Sequence, residues 1–344
     1  MIRVGLYVFV VLFGVLACRW AAGFVSRLRL IDRPNARSSH TRPTPRGAGL
    51  GLLLALVAGC AAWLVVEGGA GPREWGPLLG AVSLLAVTGF ADDREGLGVA
   101  PKFLAQVVAG LLVAGAVGVV RSVDLPVIGT LHLGLLGLPL TLFFVVGFAN
   151  AFNFMDGSDG IAGLFAATSA AGLALLGVIG GGGAACWLAL PLSAASLSFL
   201  SVNWSPARAF MGDAGSLPLG LLLAGLAVAL SRHVPFVSCF LVLGPFLFDT
   251  LYTVLRRAVR GENILRAHRS HLYQRLLATG MTHPVVALLY GGWTLLSAAG
   301  GLLYLQGLAA VRIAALGAAI LAGVAVICLT KRREGTRVGN GRLA

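Results

Sequence analysis

Charge is scarce in this sequence, and negative charge scarcest. Only 11% of the 344 residues are charged, and 13 of them are Asp or Glu. A soluble domain carries about 25% charged residues, so this chain lacks the polar surface that water demands. With 58% hydrophobic residues and a mean hydropathy of +0.90, much of its exterior must also be apolar, and its solvent is lipid. The same composition excludes disorder, collagen-like repeats and a secreted disulfide scaffold. Cysteines are few, and Cys18, Cys60, Cys186, Cys239 and Cys328 lie in apolar runs without paired spacing. They read as small core hydrophobes and not as disulfide or zinc ligands. Alternating ten-residue segments are missing, which excludes a transmembrane barrel. No internal repeat stands out, so a transporter built from two related halves gains no support.

What is present is a series of long apolar runs. A spanning helix needs about 20 mostly apolar residues. Candidate spans lie at Val4–Val25, Gly47–Val66, Trp75–Ala91, Phe103–Val120, Leu131–Ala149, Ile161–Ile179, Ala184–Leu200, Ala214–Leu230, Val234–Leu255, Pro284–Leu305 and Leu308–Leu329. The third and eighth are short. The expected fold is all-α, a polytopic transmembrane bundle of about 11 spans. One integral membrane domain covers residues 1–330, and a basic tail covers 331–344.

An odd number of spans puts the termini on opposite sides, and Lys/Arg asymmetry chooses between them. The loops after odd-numbered spans and the tail carry twenty Lys and Arg. The other side carries Arg3, Arg73, Arg121 and Arg232. The N-terminus is therefore expected outside, and the odd loops and the C-terminus in the cytoplasm. The formal net charge of +13 follows from this topology. Its basic residues form no continuous face with interleaved aromatics, so nucleic acid is not an expected partner. A cleaved leader with Leu16-Ala17-Cys18 at its end is weighed against a first span. Arg19 and the ten spans that follow favour the span.

Polar residues collect on the expected cytoplasmic loops, as suits a protein working at one membrane face. The first loop, Asp32 to Gly49, holds three prolines, four arginines including Arg46, and His40. It reads as a phosphate-binding loop or as a topology-setting basic one. Asp92-Asp93 follows the third span. Adjacent carboxylates repel, and a divalent cation relieves that, although a solvated turn would too. Asn150, Asn153, Asp156 and Asp159 recur every third residue, which would place them along one face of a helical or 3-10 turn. Phe210-Met211-Gly212-Asp213-Ala214-Gly215-Ser216 opens the eighth span, with Asp213 and Ser216 where helix N-terminal amides point at anions, or Asp213 simply a helix cap. His268 and His271 share a helical face with Arg275 a turn beyond, suited to phosphate and lacking the cysteines of a zinc site. Asp249, inside the ninth span, is either functional or paired with Arg256 or Arg257. Acids for a divalent metal, with Arg and His for phosphate, fit metal-dependent phosphoryl transfer.

These motifs, in this order, resemble the polyprenyl-phosphate N-acetylhexosamine-1-phosphate transferase superfamily. The likeness runs over Pro45-Arg46-Gly47-Ala48-Gly49, Asp92-Asp93, Asn150 to Gly160, Phe210 to Ser216 and His268-Arg269-Ser270-His271, covering Asp32 to Arg275. It implies transfer of a sugar 1-phosphate from a UDP-N-acetylated sugar to undecaprenyl phosphate with loss of UMP. It further implies Mg²⁺, or Mn²⁺ in its place, and a bacterial inner-membrane location with the active site on the cytoplasmic face. By resemblance, Asp213 and Asp156 look like metal ligands, and Phe210 like the aromatic that stacks on uracil. Asn150, Asn153, Asp156, Asp159, Arg46 and Arg269 look like substrate-binding residues. Asp92 and Asp93 match the paired acids and His268 and His271 the histidine motif near the diphosphate, all four expected to be catalytic. A homodimer is compatible with this reading.

His-Arg-Ser-His departs from the adjacent histidines of the pentapeptide translocases. It looks closer to the branch that starts O-antigen and other surface polysaccharides, with UDP-GlcNAc or a 6-deoxy UDP sugar as donor. A lipid-linked sugar flippase and a polyprenyl diphosphate phosphatase are the competing functions. The first would need polar residues through several spans, and the second would need no uracil pocket.

Overall fold

The computed structural model describes residues 2–34, 42–67, 75–182, 185–264, 266 and 268–340. Arg37, His40, Arg73 and Arg342 lie outside the described residues. The expectation of an all-α membrane bundle holds: twelve α-helices account for most of the described chain, and ten are long and apolar enough to cross a bilayer.

The order is α1 (Ile2–Arg27), β1 (Ile31–Asp32), β2 (Thr44–Pro45), α2 (Gly49–Glu67), α3 (Trp75–Glu95), α4 (Val99–Val117), β3 (Ser122–Leu125), β4 (Gly129–His132) and α5 (Gly137–Met155). It continues with α6 (Ile161–Ile179), α7 (Cys186–Asn203), α8 (Asp213–Leu230), α9 (Phe236–Val259), α10 (Leu272–Ala278), α11 (His283–Leu305) and α12 (Ala309–Asn340). Eleven of these correspond to the eleven expected spans, and α10 is an extra short helix. α3 is absent from the ten because its last turn carries Asp92, Asp93, Arg94 and Glu95.

The apolar α8 is the axis of the bundle. All its residues except Ala229 are buried, and it contacts α2, α3, α4, α5, α6 and α9. A helix that is apolar all round can satisfy itself only at such a position. Aromatic packing ties α5, α6 and α9 together, with Phe165 stacked on Phe246 at 3.6 Å and Phe148 and Phe152 against Phe165. Large apolar side chains such as Leu12, Leu16, Leu296 and Leu321 are exposed on the outer helices, as lipid contact requires.

Three expectations change. The run starting at Leu131 opens in an antiparallel hairpin, β3 with β4, and its helix begins only at Gly137. Hydropathy cannot separate an apolar strand from the start of a helix. α12 continues unbroken to Asn340, so residues 331–340 of the expected tail are helical. Its Glu334 receives a bidentate pair of hydrogen bonds from Arg275 of α10, both 2.8 Å. Finally, Asp249 pairs with neither Arg256 nor Arg257, since its partners lie on α10 and α11 (below).

Candidate active site

The loop after α1, the ends of α3 and α5, and the starts of α4 and α8 meet at one end of the bundle. The α1–α2 loop folds back on itself through β1 and β2, with Ile31 opposite Pro45 and Asp32 opposite Thr44. It then joins the α7–α8 loop. Phe210 donates its N–H to the Pro45 carbonyl at 2.8 Å, and its own carbonyl accepts Gly47 and Ala48 at 3.1 and 3.0 Å. Two segments 160 residues apart in sequence thus form one platform, as the parallel pairing of Arg46 with Phe210 records.

Arg46 is the hinge of the charges. Its Nε lies 2.7 Å from Asp93 and its Nη2 2.8 Å from Asp213. Asp213 also accepts from Asn153 Nδ2 at 3.0 Å and lies 3.6 Å from Lys102 Nζ, which is 2.9 Å from Asp92. Asn153 donates as well to Ser216 at 2.8 Å. Burial raises the Asp156 carboxyl well above the usual carboxylate range; Arg46 opposes this, while Asp213 and Asp93 add to it. Arg46, Asp92, Asn153, Asp156 and Asp213 therefore converge as the sequence suggested. Lys102 joins them without any local signal beyond a lone cation in an apolar stretch.

Asp93 belongs to the cluster but does not face outward. Its carboxylate accepts the backbone N–H groups of Asp213 at 3.0 Å and Ala214 at 3.1 Å, and its side chain has no exposed surface. It is a cap for α8 lent by α3, satisfying amides that would otherwise be orphaned. Burial raises it to about 6, with Arg46 pulling the other way. The fit is close. Gly212, just before α8, has φ 73°, and a Cβ there would come within 2.4 Å of Asp93 Oδ2. A Cβ at Gly89 would lie 2.3 Å from the Asp213 carbonyl oxygen. Asp93, expected to be catalytic, is thus placed against two amides and a guanidinium and not on the open side of the cluster.

The every-third-residue series also divides. Asn150 turns to α4, exchanging hydrogen bonds with the buried Gln106 at 2.7 and 3.2 Å. Asn153 and Asp156 turn to the charge cluster. Asp159 turns to the α7–α8 loop, accepting Ala207 N–H at 3.0 Å, while neighbouring Ser158 contacts His283 Nδ1 at 2.9 Å. α5 ends at Met155, and the chain turns at Asp156, so one helical face does not persist across all four. Asn150 and Asp159 therefore lock helices and loops and do not line the cluster.

The histidine motif forms a second group. Asp249 of α9 accepts the N–H groups of Leu272 and Tyr273 at 2.9 and 3.2 Å, the Tyr290 hydroxyl at 2.5 Å, and contacts His271 Nδ1 at 3.2 Å. His268 Nδ1 meets Ser270 Oγ at 3.0 Å, and its ring lies 5.0 Å from that of His271. Burial, then His271 and Arg257, lowers His268 to about 4, so it is neutral at physiological pH. Arg269 is exposed. The end of α5 links the two groups, because the Tyr273 hydroxyl donates to the Phe154 carbonyl at 3.0 Å and the Phe154 ring is 6.1 Å from His271.

The donor set suits a divalent cation held jointly with substrate. The Asp92 and Asp213 carboxyls are in hydrogen-bonding contact, with Lys102 across both. Burial raises Asp92, Lys102 opposes this, and nearby Asp213 adds to the rise. Among the described residues no three acids or histidines form a complete cage. Mg²⁺ characteristically takes one or two carboxylates and fills its other positions with phosphate oxygens and water.

An apolar groove of about 320 Å³ runs between α5 and α9. Phe143, Phe144 and Phe148 form one wall and Phe240, Leu247 and Leu251 the other. It reaches Ala151, little more than one turn from Asp156.

Residues 75–231 match the family model described as glycosyl transferase family 4. A Bacillus subtilis (strain 168) protein named a probable undecaprenyl-phosphate N-acetylglucosaminyl 1-phosphate transferase is 31% identical over 76% of this chain and 74% of its own. A Mycobacterium tuberculosis decaprenyl-phosphate N-acetylglucosaminephosphotransferase is 30% identical over 90% of this chain and 84% of its own. A phospho-N-acetylmuramoyl-pentapeptide-transferase from Synechococcus is 35% identical over 80% and 84%.

Proposed function

This chain belongs to the polyprenyl-phosphate N-acetylhexosamine-1-phosphate transferase superfamily, and from that premise we propose that it starts a lipid-linked surface glycan. A sugar 1-phosphate passes from a UDP-N-acetylhexosamine, GlcNAc or a 6-deoxy relative, to undecaprenyl phosphate. A lipid phosphate oxygen attacks the sugar-bearing phosphorus of the donor. The bond from that phosphorus to the bridging oxygen breaks, UMP leaves, and a polyprenyl diphosphate sugar remains.

The observation that carries this reading is the meeting of Asp92, Asp156 and Asp213 with Arg46 and Lys102 at the end of α5, the helix that also walls a lipid-facing apolar groove. An anionic acceptor and an anionic donor must approach each other, and cationic side chains lower the cost of that approach. Arg46 and Lys102 are already held by carboxylates, which fixes their heads where phosphate oxygens arrive. Phe210, half-buried on the platform beside Arg46, offers a ring to the nucleobase. The groove between α5 and α9 takes the prenyl chain. A phosphate monoester has its second pKa near 6, so the acceptor is largely dianionic at neutral pH. The sealed Asp93 is then not required as a base, and direct in-line attack suffices.

Asp213 and Asp92, with Asp156 beside them, would hold Mg²⁺, for which Mn²⁺ can substitute. Bound there, the ion supplies charge neutralisation at the diphosphate. The excess of Lys and Arg on the loops at the site end supports a cytoplasmic active site in the bacterial inner membrane. The spacing of His268 and His271, without adjacent histidines, supports the polysaccharide-initiating branch over a pentapeptide donor.

The test is UMP release by detergent-purified protein given undecaprenyl phosphate, Mg²⁺ and UDP-GlcNAc, with 6-deoxy UDP sugars in parallel. Lipid-dependent UMP from one donor supports the reaction and names the sugar. Folded protein that releases none from any donor overturns it in favour of a flippase or phosphatase.

A further inference from the structure

Asp249 is wholly buried within a membrane-spanning helix, where a carboxylate is costly unless every lone pair has a purpose. Its Oδ1 accepts Leu272 N–H at 2.9 Å and Thr253 Oγ1 at 3.1 Å and contacts His271 Nδ1 at 3.2 Å. Its Oδ2 accepts Tyr273 N–H at 3.2 Å and Tyr290 O–H at 2.5 Å. Five donors from α9, α10, α11 and the α9–α10 loop thus close on one side chain, which only ever accepts. That is the pattern of an ionised carboxylate. Capping α10 accounts for two of the five, and the imidazole, on the N-cap residue of a capping box with Gln274, is one of three contacts that those two amides do not explain.

An imidazole bonded to a carboxylate through Nδ1 carries a proton on that nitrogen, and its tautomer and ring orientation are then set. His271 is only 3% exposed, and its ring is bracketed by Phe154 at 6.1 Å, Tyr273 at 6.0 Å and His268 at 5.0 Å. α10 is in turn clamped to α12 by Arg275 and Glu334, so the loop carrying both histidines is anchored at each end.

We propose that Asp249 is a positioning residue for phosphoryl transfer. It acts through His271, holding Nδ1–H so that Nε2 faces the diphosphate and, when the ring carries its second proton, donates to one of its oxygens. This assignment rests on the sugar-phosphate transfer reading given above. It makes Asp249 part of the catalytic apparatus although it touches no substrate.

Two measurements on the full-length protein in detergent test it. In ¹⁵N-histidine spectra, the His271 signals are those lost in His271→Gln. His271 is expected to be protonated at Nδ1 in the wild type and to lose that preference in Asp249→Asn. A wild-type ring protonated only at Nε2 overturns the proposal whatever the activity, and decides the matter even if Asp249→Asn does not fold. In UMP release, Asp249→Asn is expected to lower kcat on the order of a hundredfold with KM for both substrates unchanged. The double variant Asp249→Asn/His271→Gln should be no slower than His271→Gln alone, because both changes remove one interaction. Additive losses would make Asp249 a helix cap and nothing more. Wild-type protein that releases no UMP with any donor sinks the transfer reading, while the tautomer result stands separately.

Discussion

Two helices in this bundle hand their first amides to a carboxylate from another helix. α8 gives Asp213 and Ala214 N–H to Asp93 of α3, and α10 gives Leu272 and Tyr273 N–H to Asp249 of α9. The device is the same, and the neighbours differ. Asp93 shares its oxygens with the Arg46 guanidinium and stands behind Asp213, Asp92 and Lys102, all of which retain some exposure. Asp249 is surrounded by hydroxyls and one imidazole and, among the described residues, meets no Lys or Arg at salt-bridge distance. The first helix start organises charge at an open site, whereas the second organises the geometry of a ring. A helix N-terminus attracts anions in either case. What the cap's other contacts are decides whether the site gathers cations or orients a histidine.

The largest expected effect lies at the first start. Asp213→Asn removes the negative charge that Arg46, Lys102 and Asn153 share. Turnover should fall by about a thousandfold while the protein stays folded, as UMP release and a detergent melting curve would establish. Unchanged turnover would dissolve the charge cluster as a functional unit.

Next comes Asp93→Asn, which separates capping from chemistry. An amide can still accept one of the two N–H groups, but it leaves the guanidinium without its 2.7 Å partner. Loss of a cap costs about 1 kcal/mol, so the melting temperature should drop together with kcat. A variant that lost activity at full thermal stability would restore Asp93 as a catalytic group.

How far the sequence foretold this comparison depends on which contacts were local. The spans were legible because bilayer thickness imposes a length on apolar runs. Asp92-Asp93, Asp156 and Asp213 stood out because acids are rare here. Their partners were not legible. Lys102 reaches Asp213 across more than a hundred residues, and Gln106 takes Asn150 out of the apparent three-residue periodicity. Asp249 shows the limit most plainly. Its nearest arginines in sequence suggested an ion pair, yet its partners are His271 and Tyr290, 22 and 41 residues away. Spacing along a chain reports which side chains can share one helix face, and says nothing of which helix will pack opposite.

Smaller effects sharpen the contrast between the two ends of the molecule. Phe210→Ala, on the platform beside Arg46, should raise KM for the UDP sugar about tenfold and leave KM for the lipid unchanged. Equal losses for both would argue against stacking on the base. At the other end, the Asp124 carboxylate accepts Thr130 Oγ1 in the exposed hairpin. Asp124→Asn should keep full turnover and shift stability by no more than about 0.5 kcal/mol. An inactive protein would show that the chemistry is not confined to one end.

The smallest effect distinguishes the two histidines of the second start. The folded protein protonates His268 only near pH 4, mainly because it is buried and then because His271 and Arg257 are close. An unfolded chain protonates it near 6.5. Between these values the unfolded state binds the extra proton, so the His268 contribution to stability falls as pH drops from 6.5 to 4, against the opposite contribution of the raised Asp93. His268→Gln removes that uptake, and its melting temperature should decline less steeply over this window than that of the wild type. Parallel curves would mean that His268 already accepts a proton in the folded state. It would then stand beside His271 as a cation, and the second helix start would gather charge as the first does.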